Sequence, residues 1–130
     1  MGTLKTMLRP LTTIVLLLIA VTARADDQPA VTIESIEWGF DGKARERTFT
    51  PLSILVQNNT ALEFEGTHTL TKLVQATKPI DASIVREVYV GPFSRRWVQF
   101  VPYVVSDWEQ WRLTWGHAHD EQFDIPSPQV

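Results

Sequence analysis

Three observations predict an all-β fold, an antiparallel β-sandwich of about seven strands over residues 31–115. Strand-length runs with apolar residues at every second position recur along the chain. Turn-forming pairs, among them Asp41-Gly42, Asn58-Asn59, Gly91-Pro92 and Ser106-Asp107, separate these runs at short intervals. After the N-terminal segment, no stretch repeats its apolar residues with a convincing helical period.

Residues 1–25 read as a cleaved signal peptide. Lys5 and Arg9 give a positive start, an apolar run follows from Leu11 to Val21, and Ala23-Arg24-Ala25 places small residues where signal peptidase cuts. The apolar run is shorter than the roughly 20 residues that a spanning helix needs. Residues 26–30 are a short lead-in. The mature chain would hold 105 of the 130 residues, enough for one domain with its own core.

Residues 31–38 predict a first strand whose phase shifts midway, with Val31 and Ile33 on one parity and Ile36 and Trp38 on the other. A bulge near Ser35 follows from that shift. The charged stretch around Lys43, Arg45, Glu46 and Arg47 reads as a solvated loop. Leu52, Ile54 and Val56 then form the inward face of a strand, closed by Asn58-Asn59-Thr60. Those three residues also spell a glycosylation acceptor, although a turn explains them equally well.

Residues 62–73 alternate between apolar and polar side chains, which predicts an outer or edge strand with a bulge at Gly66. Lys78-Pro79 is expected to break the pattern before a strand over residues 84–90. Gly91-Pro92 turns the chain into Arg95-Arg96-Trp97-Val98-Gln99-Phe100-Val101-Pro102-Tyr103-Val104-Val105. This is the longest β-prone run of the mature chain, and apolar side chains fall on both of its parities. It is therefore expected to be a central strand, bulged or unpaired at Pro102. Trp111, Leu113 and Trp115 alternate with polar residues in the last strand. Residues 116–130 are expected to be loop, with a linker-like tail at Pro126-Ser127-Pro128. The expected core comprises Leu52, Ile54, Val56, Phe64, Val88, Val98, Phe100, Trp111 and Leu113.

Charge and composition weigh against several classes of function. Without residues 1–25, nine basic side chains face fifteen acidic ones, a net charge of about −6. That balance argues against nucleic acid or an anionic membrane surface as the main partner. The absence of cysteine removes disulfides, thiolate catalysis and thiolate metal sites.

Phe49-Thr50-Pro51-Leu52-Ser53-Ile54-Leu55-Val56-Gln57-Asn58 resembles a W-x-P-φ-x-V-x-V-x-N pattern. The pattern belongs to immunoglobulin-like N-terminal modules of large, uncharacterised bacterial envelope proteins. Phe64-Glu65-Gly66, Gly91-Pro92 and the strand from Arg96 to Tyr103 resemble later landmarks of the same module. Phe49 stands where the pattern has tryptophan. Such proteins usually continue into further domains. The resemblance implies an immunoglobulin-like fold and an exported location, and it brings no catalytic residues.

Candidate chemistry is sparse. His117 and His119, two imidazoles at i and i+2 after a strand, are the best candidate zinc ligands, with Asp120 or Glu121 as a third, although a polar loop explains them as well. Trp97 and Trp108 are candidate exposed platforms for stacking on sugars. Glu63 and Glu65 would share one strand face, which an exposed surface explains without catalysis. His68 is either a surface residue or a satisfied core residue. No serine lies in a G-x-S-x-G or Ser-x-x-Lys context, and no glycine-rich phosphate loop is present. The expected function is a non-catalytic, cofactor-free module for protein–protein interaction or a spacer in the bacterial cell envelope, periplasmic or extracellular. Its partner would be an envelope protein or a further domain of a longer protein, with carbohydrate or metal binding as alternatives.

Overall fold

The computed structural model describes residues 29–74 and 78–130. The expected leader lies outside the described residues. Those residues form nine strands in antiparallel sheets: β1 (Val31–Trp38), β2 (Thr48–Phe49), β3 (Leu52–Asn58), β4 (Phe64–Val74), β5 (Lys78–Val90), β6 (Arg95–Phe100), β7 (Tyr103–Val104), β8 (Gln110–Trp115) and β9 (Glu121–Ile125). One sheet has the order β1-β3-β6, a second β5-β4-β8-β9, and β2 pairs with β7 in a small third.

Alternation explains how these sheets share one core. Leu52, Ile54, Val56 and Asn58 of β3 are buried, and the residues between them are half-buried. Ile54, Val56 and Phe100 from the first sheet join Leu70, Val88 and Leu113 from the second in a single apolar cluster. Each such side chain contributes about 1.5–3 kcal/mol on burial. Trp38 and Trp111 meet across the sheets with ring centroids 6.1 Å apart. Of the nine expected core residues, eight are buried and Phe64 is half-buried against them. The register of β1 against β3 shifts between Ile33 and Ser35, where the change of phase placed a bulge.

Asn58 ties the two sheets together at one end. Its side-chain nitrogen donates to the carbonyls of Leu62 (2.7 Å), Val90 (3.2 Å) and Gly91 (3.1 Å). Its side-chain oxygen accepts from the Thr60 amide and hydroxyl at 3.0 and 2.8 Å. A fully buried amide with every hydrogen-bonding atom engaged leaves no room for a glycan.

Five expectations are corrected. The run from Arg95 to Val105 is not a central strand. β6 pairs with β3 on one side only, the ladder stops at Val101-Pro102, and β7 continues against β2. Proline has no amide proton, and its carbonyl instead accepts the Thr50 N–H at 3.0 Å. Conversely, the polar-alternating segment is not an edge. β4 is flanked by β5 and β8, and its threonines line the outer face of a central strand. Alternation reports one wet face, not an unpaired flank.

The other three corrections concern local chain geometry. Gly66 sits in unbroken register opposite Val88, and the irregularity lies between Thr71 and Leu73. A Cβ at Gly66 would lie 3.1 Å from the Phe64 ring, so glycine leaves room for that ring to lie over the strand. Lys78 and Pro79 belong to β5, an outer strand on which a missing amide proton is tolerated. Finally, the tail is no linker. Residues 121–125 form β9 against β8, Pro126 accepts the Trp38 indole N–H at 2.9 Å, and Pro128 is buried. The Ala44 amide donates to Gln129 at 2.7 Å, so the tail straps one sheet to the loop after the other. These additions, with the split at Pro102, raise the strand count above the expected one.

Candidate interaction surface

From residue 97 to 105 the side chains alternate without interruption, although the ladder changes partner at Pro102. Val98, Phe100, Pro102 and Val104 are buried, while Trp97, Gln99, Val101, Tyr103 and Val105 are exposed. Both β6 and β7 lie at sheet margins, so the outward parity of an apolar run has nothing to cover it. Trp97 is 49% exposed, and Val101, Tyr103 and Val105 extend the stripe. Phe49 lengthens it sideways, its ring meeting that of Tyr103 edge-on at 5.2 Å.

Trp97 also lines a groove of about 170 Å³ at the seam between β5 and β6, together with Arg86, Glu87, Arg96 and Gln99. Arg86 Nε donates to the Gln99 carbonyl at 3.4 Å, and Arg96 Nη1 to the Tyr89 carbonyl at 3.0 Å. Arg95 is turned away, pairing with Glu34 at 3.4 Å on the surface, where such a pair contributes little.

Trp108 lies apart from this groove, on the turn between β7 and β8, and is 74% exposed. Its neighbour Glu109 is buried and anchors the turn. One carboxylate oxygen meets Lys72 Nζ at 2.5 Å, and the other accepts the Val105 N–H at 3.0 Å. Lys72 Nζ also donates to the Tyr103 carbonyl at 3.2 Å and sits 4.8 Å from the centre of the Trp111 ring. The turn that displays Trp108 is thus held by a nearly desolvated ion pair. No sequence spacing relates Lys72 to Glu109, since their approach depends on β4 pairing with β8.

The proposed metal ligands are not brought together. Residues 117–119 form a 3-10 turn and His119 takes a left-handed backbone angle (φ 56°), so neither is in extended strand geometry. His119 Nδ1 lies 3.4 Å from the Thr114 hydroxyl, and the Asp120 amide donates to the His117 carbonyl at 3.3 Å. Among the described residues, no group of three or more histidine, aspartate or glutamate side chains is placed to hold a metal ion.

Glu63 accepts the Tyr89 hydroxyl at 2.9 Å. That bond, with the negative charge behind it, raises the Tyr89 pKa above the usual phenol value. His68 is neither of the things expected. It is completely buried, and neither ring nitrogen has a hydrogen-bond partner among the described residues. Phe64 meets it edge-on at 5.7 Å. Desolvation lowers its pKa from 6.5 to about 4, so the ring is neutral at neutral pH.

Among the described residues, no helix is long and apolar enough to cross a membrane. No protein-family model matches the chain, and no curated protein matches it.

Proposed function

We propose that this chain is an exported, non-catalytic β-sandwich module of immunoglobulin-like type that docks a protein partner in the bacterial cell envelope. The observation that carries the reading is the stripe of Trp97, Val101, Tyr103 and Val105, apolar side chains that the fold directs outward in register. Exposed apolar side chains aligned in this way, interrupted only by Gln99, mark interaction sites, and tryptophan and tyrosine are the side chains that most often anchor them. The leader-like N-terminus supports export, and the resemblance of residues 49–58 to envelope modules supports the compartment. The partner is a neighbouring envelope protein or a further domain of a longer protein.

A photo-reactive amino acid at position 97, activated in intact cells, tests this. A discrete heavier adduct, absent when the probe is moved to the outer face of β9, is the expected result. Recovery of the monomer alone overturns the reading.

One observation favours carbohydrate as a second reading. The groove at Trp97 combines an aromatic face with the polar side chains of Arg86, Glu87 and Gln99, the combination that sugars require. Glycan-array binding abolished by Trp97→Ala would decide for it. Binding lost on Trp108→Ala would place the sugar at the β7–β8 turn instead.

A further inference from the structure

We propose that the end of the fold carrying Phe40, Phe49 and Trp108 docks on an anionic lipid surface, a contact that borders the stripe at Phe49 and Tyr103 but does not use Trp97. Three separate segments converge at this end. Phe40 and Phe49 line one open cavity of about 630 Å³ together with Lys43 and Arg45. Phe49 meets Tyr103, and Lys72 links the Tyr103 carbonyl to Glu109, the neighbour of Trp108. The exposures are extreme for large apolar side chains: 98% for Phe40, 68% for Phe49 and 74% for Trp108.

The form of this surface selects its occupant. Phe40 and Trp108 stand on loops and Phe49 on the two-residue strand β2, each a protruding, largely exposed ring. They suit a fluid interface, where aromatic side chains settle at the level of the headgroups. Charge points the same way. Lys43, Arg45 and Arg47 lie within five residues, and no other window of that length in the chain holds three cations. All three are exposed. Asp41 and Glu46 leave this loop with a small positive balance in an otherwise acidic chain. Asp107 beside Trp108 opposes an anionic surface, so the 39–49 loop must supply the electrostatic attraction. The cavity between Phe40 and Phe49, with Lys43 and Arg45 outnumbering Asp41 on its wall, has room for a phosphate headgroup.

Tryptophan fluorescence of the full chain, titrated with phosphatidylglycerol–phosphatidylcholine vesicles carrying brominated acyl chains, tests the proposal. Residues 1–28 contain no tryptophan, but their insertion would tether the whole chain, so docking of this end is read from the contrast between Trp108→Phe and Trp97→Phe and from the charge substitutions. Trp38, Trp111 and Trp115 are buried, which leaves Trp97 and Trp108 as the responsive reporters. The expected result is quenching by anionic vesicles that Trp108→Phe removes and Trp97→Phe does not. Lys43→Gln with Arg45→Gln and Arg47→Gln should weaken vesicle affinity about tenfold or more, and high salt should do the same. These substitutions fall on exposed side chains, and an unchanged far-ultraviolet dichroism spectrum verifies each fold. Absence of quenching, equal quenching by purely zwitterionic vesicles, or quenching that reports through Trp97 each overturns the proposal. So does a protein cross-link formed at position 108 in cells, without any vesicle response, which would assign this end to a protein. Cross-linking at position 97 reads the Trp97 stripe and can fail without affecting these outcomes.

Discussion

The imidazole of His68 stacks on the Trp115 indole, with centroids 5.4 Å apart and planes 14° from parallel. The ring is packed as an aromatic hydrocarbon would be, inside the sheet formed by β4 and β8. A charged imidazolium would have to sit there without a hydrogen-bond acceptor.

Acid should therefore destabilise the fold through this residue. Above pH 6.5 the ring is neutral both folded and unfolded, and contributes nothing to the pH dependence. Below it the unfolded chain takes up a proton that the folded chain refuses until about pH 4. Stability falls through that window by roughly 3 kcal/mol at most, because a tenfold difference in proton affinity between the two states is worth about 1.36 kcal/mol. Urea unfolding at pH 7 and pH 4.5 should show the loss in the native protein and a much smaller one in His68→Leu. Equal losses in the two proteins would assign the acid sensitivity to carboxylates.

Asn58→Ala should cost about 3 kcal/mol. The substitution takes the side-chain donor from the Val90 carbonyl and the acceptor from the Thr60 amide at a buried junction, while the Leu62 and Gly91 carbonyls keep bonds from Thr60 and Ser94; each orphaned group carries a desolvation penalty of roughly 1–3 kcal/mol, part of which water entry relieves. Asn58→Asp should be similarly damaging, because a carboxylate cannot donate to those carbonyls. Chemical denaturation of both variants checks this, and a loss under about 1 kcal/mol in either would show that the turn repacks around the missing amide.

Removing residues 126–130 should lower stability by about 2–3 kcal/mol. The deletion exposes Trp38, frees its indole N–H and withdraws the acceptor of the Ala44 amide. Thermal melting of the shortened chain measures it. An unchanged midpoint would return these residues to the status of a linker.

Glu109→Ala should destabilise by about 2–3 kcal/mol, since it leaves Lys72 facing Trp111 without its counter-ion and the Val105 amide without an acceptor. Glu109→Gln keeps a hydrogen-bond acceptor and should recover part of the loss. The near-ultraviolet dichroism of the tryptophans would report a loosened β7–β8 turn, and native spectra for Glu109→Ala would contradict the anchoring role.

The inward face of nearly every strand was legible in the sequence, because the burial of Leu52, Ile54, Val56, Trp111 and Leu113 follows from period-two alternation alone. Which strands are neighbours was not. The outward threonines of β4 carry the same signal on a central strand as on an edge, and only the pairing with β8 tells the two apart. The run at Trp97 misled in the opposite sense. Apolar side chains on both parities signify burial on both faces, except where one parity is an exposed surface in its own right. Trp97 and Trp108 were identifiable as outward candidates because neither lies in phase with a core strand. The Lys72–Glu109 pair and the strap at Pro128 were invisible, since both depend on contacts between residues far apart in the chain.

The two arginines at the seam also bear on self-association. An unprotected strand edge is a template on which identical chains can stack into fibres. Arg86 already occupies the Gln99 carbonyl on the open flank of β6, and Arg96 occupies the Tyr89 carbonyl on β5. Each margin is thus closed by a side chain from the other, and a second copy adding a strand there would first have to displace a guanidinium group. Along this flank the chain is guarded against polymerising with itself, while its aromatic side chains remain free to engage something else.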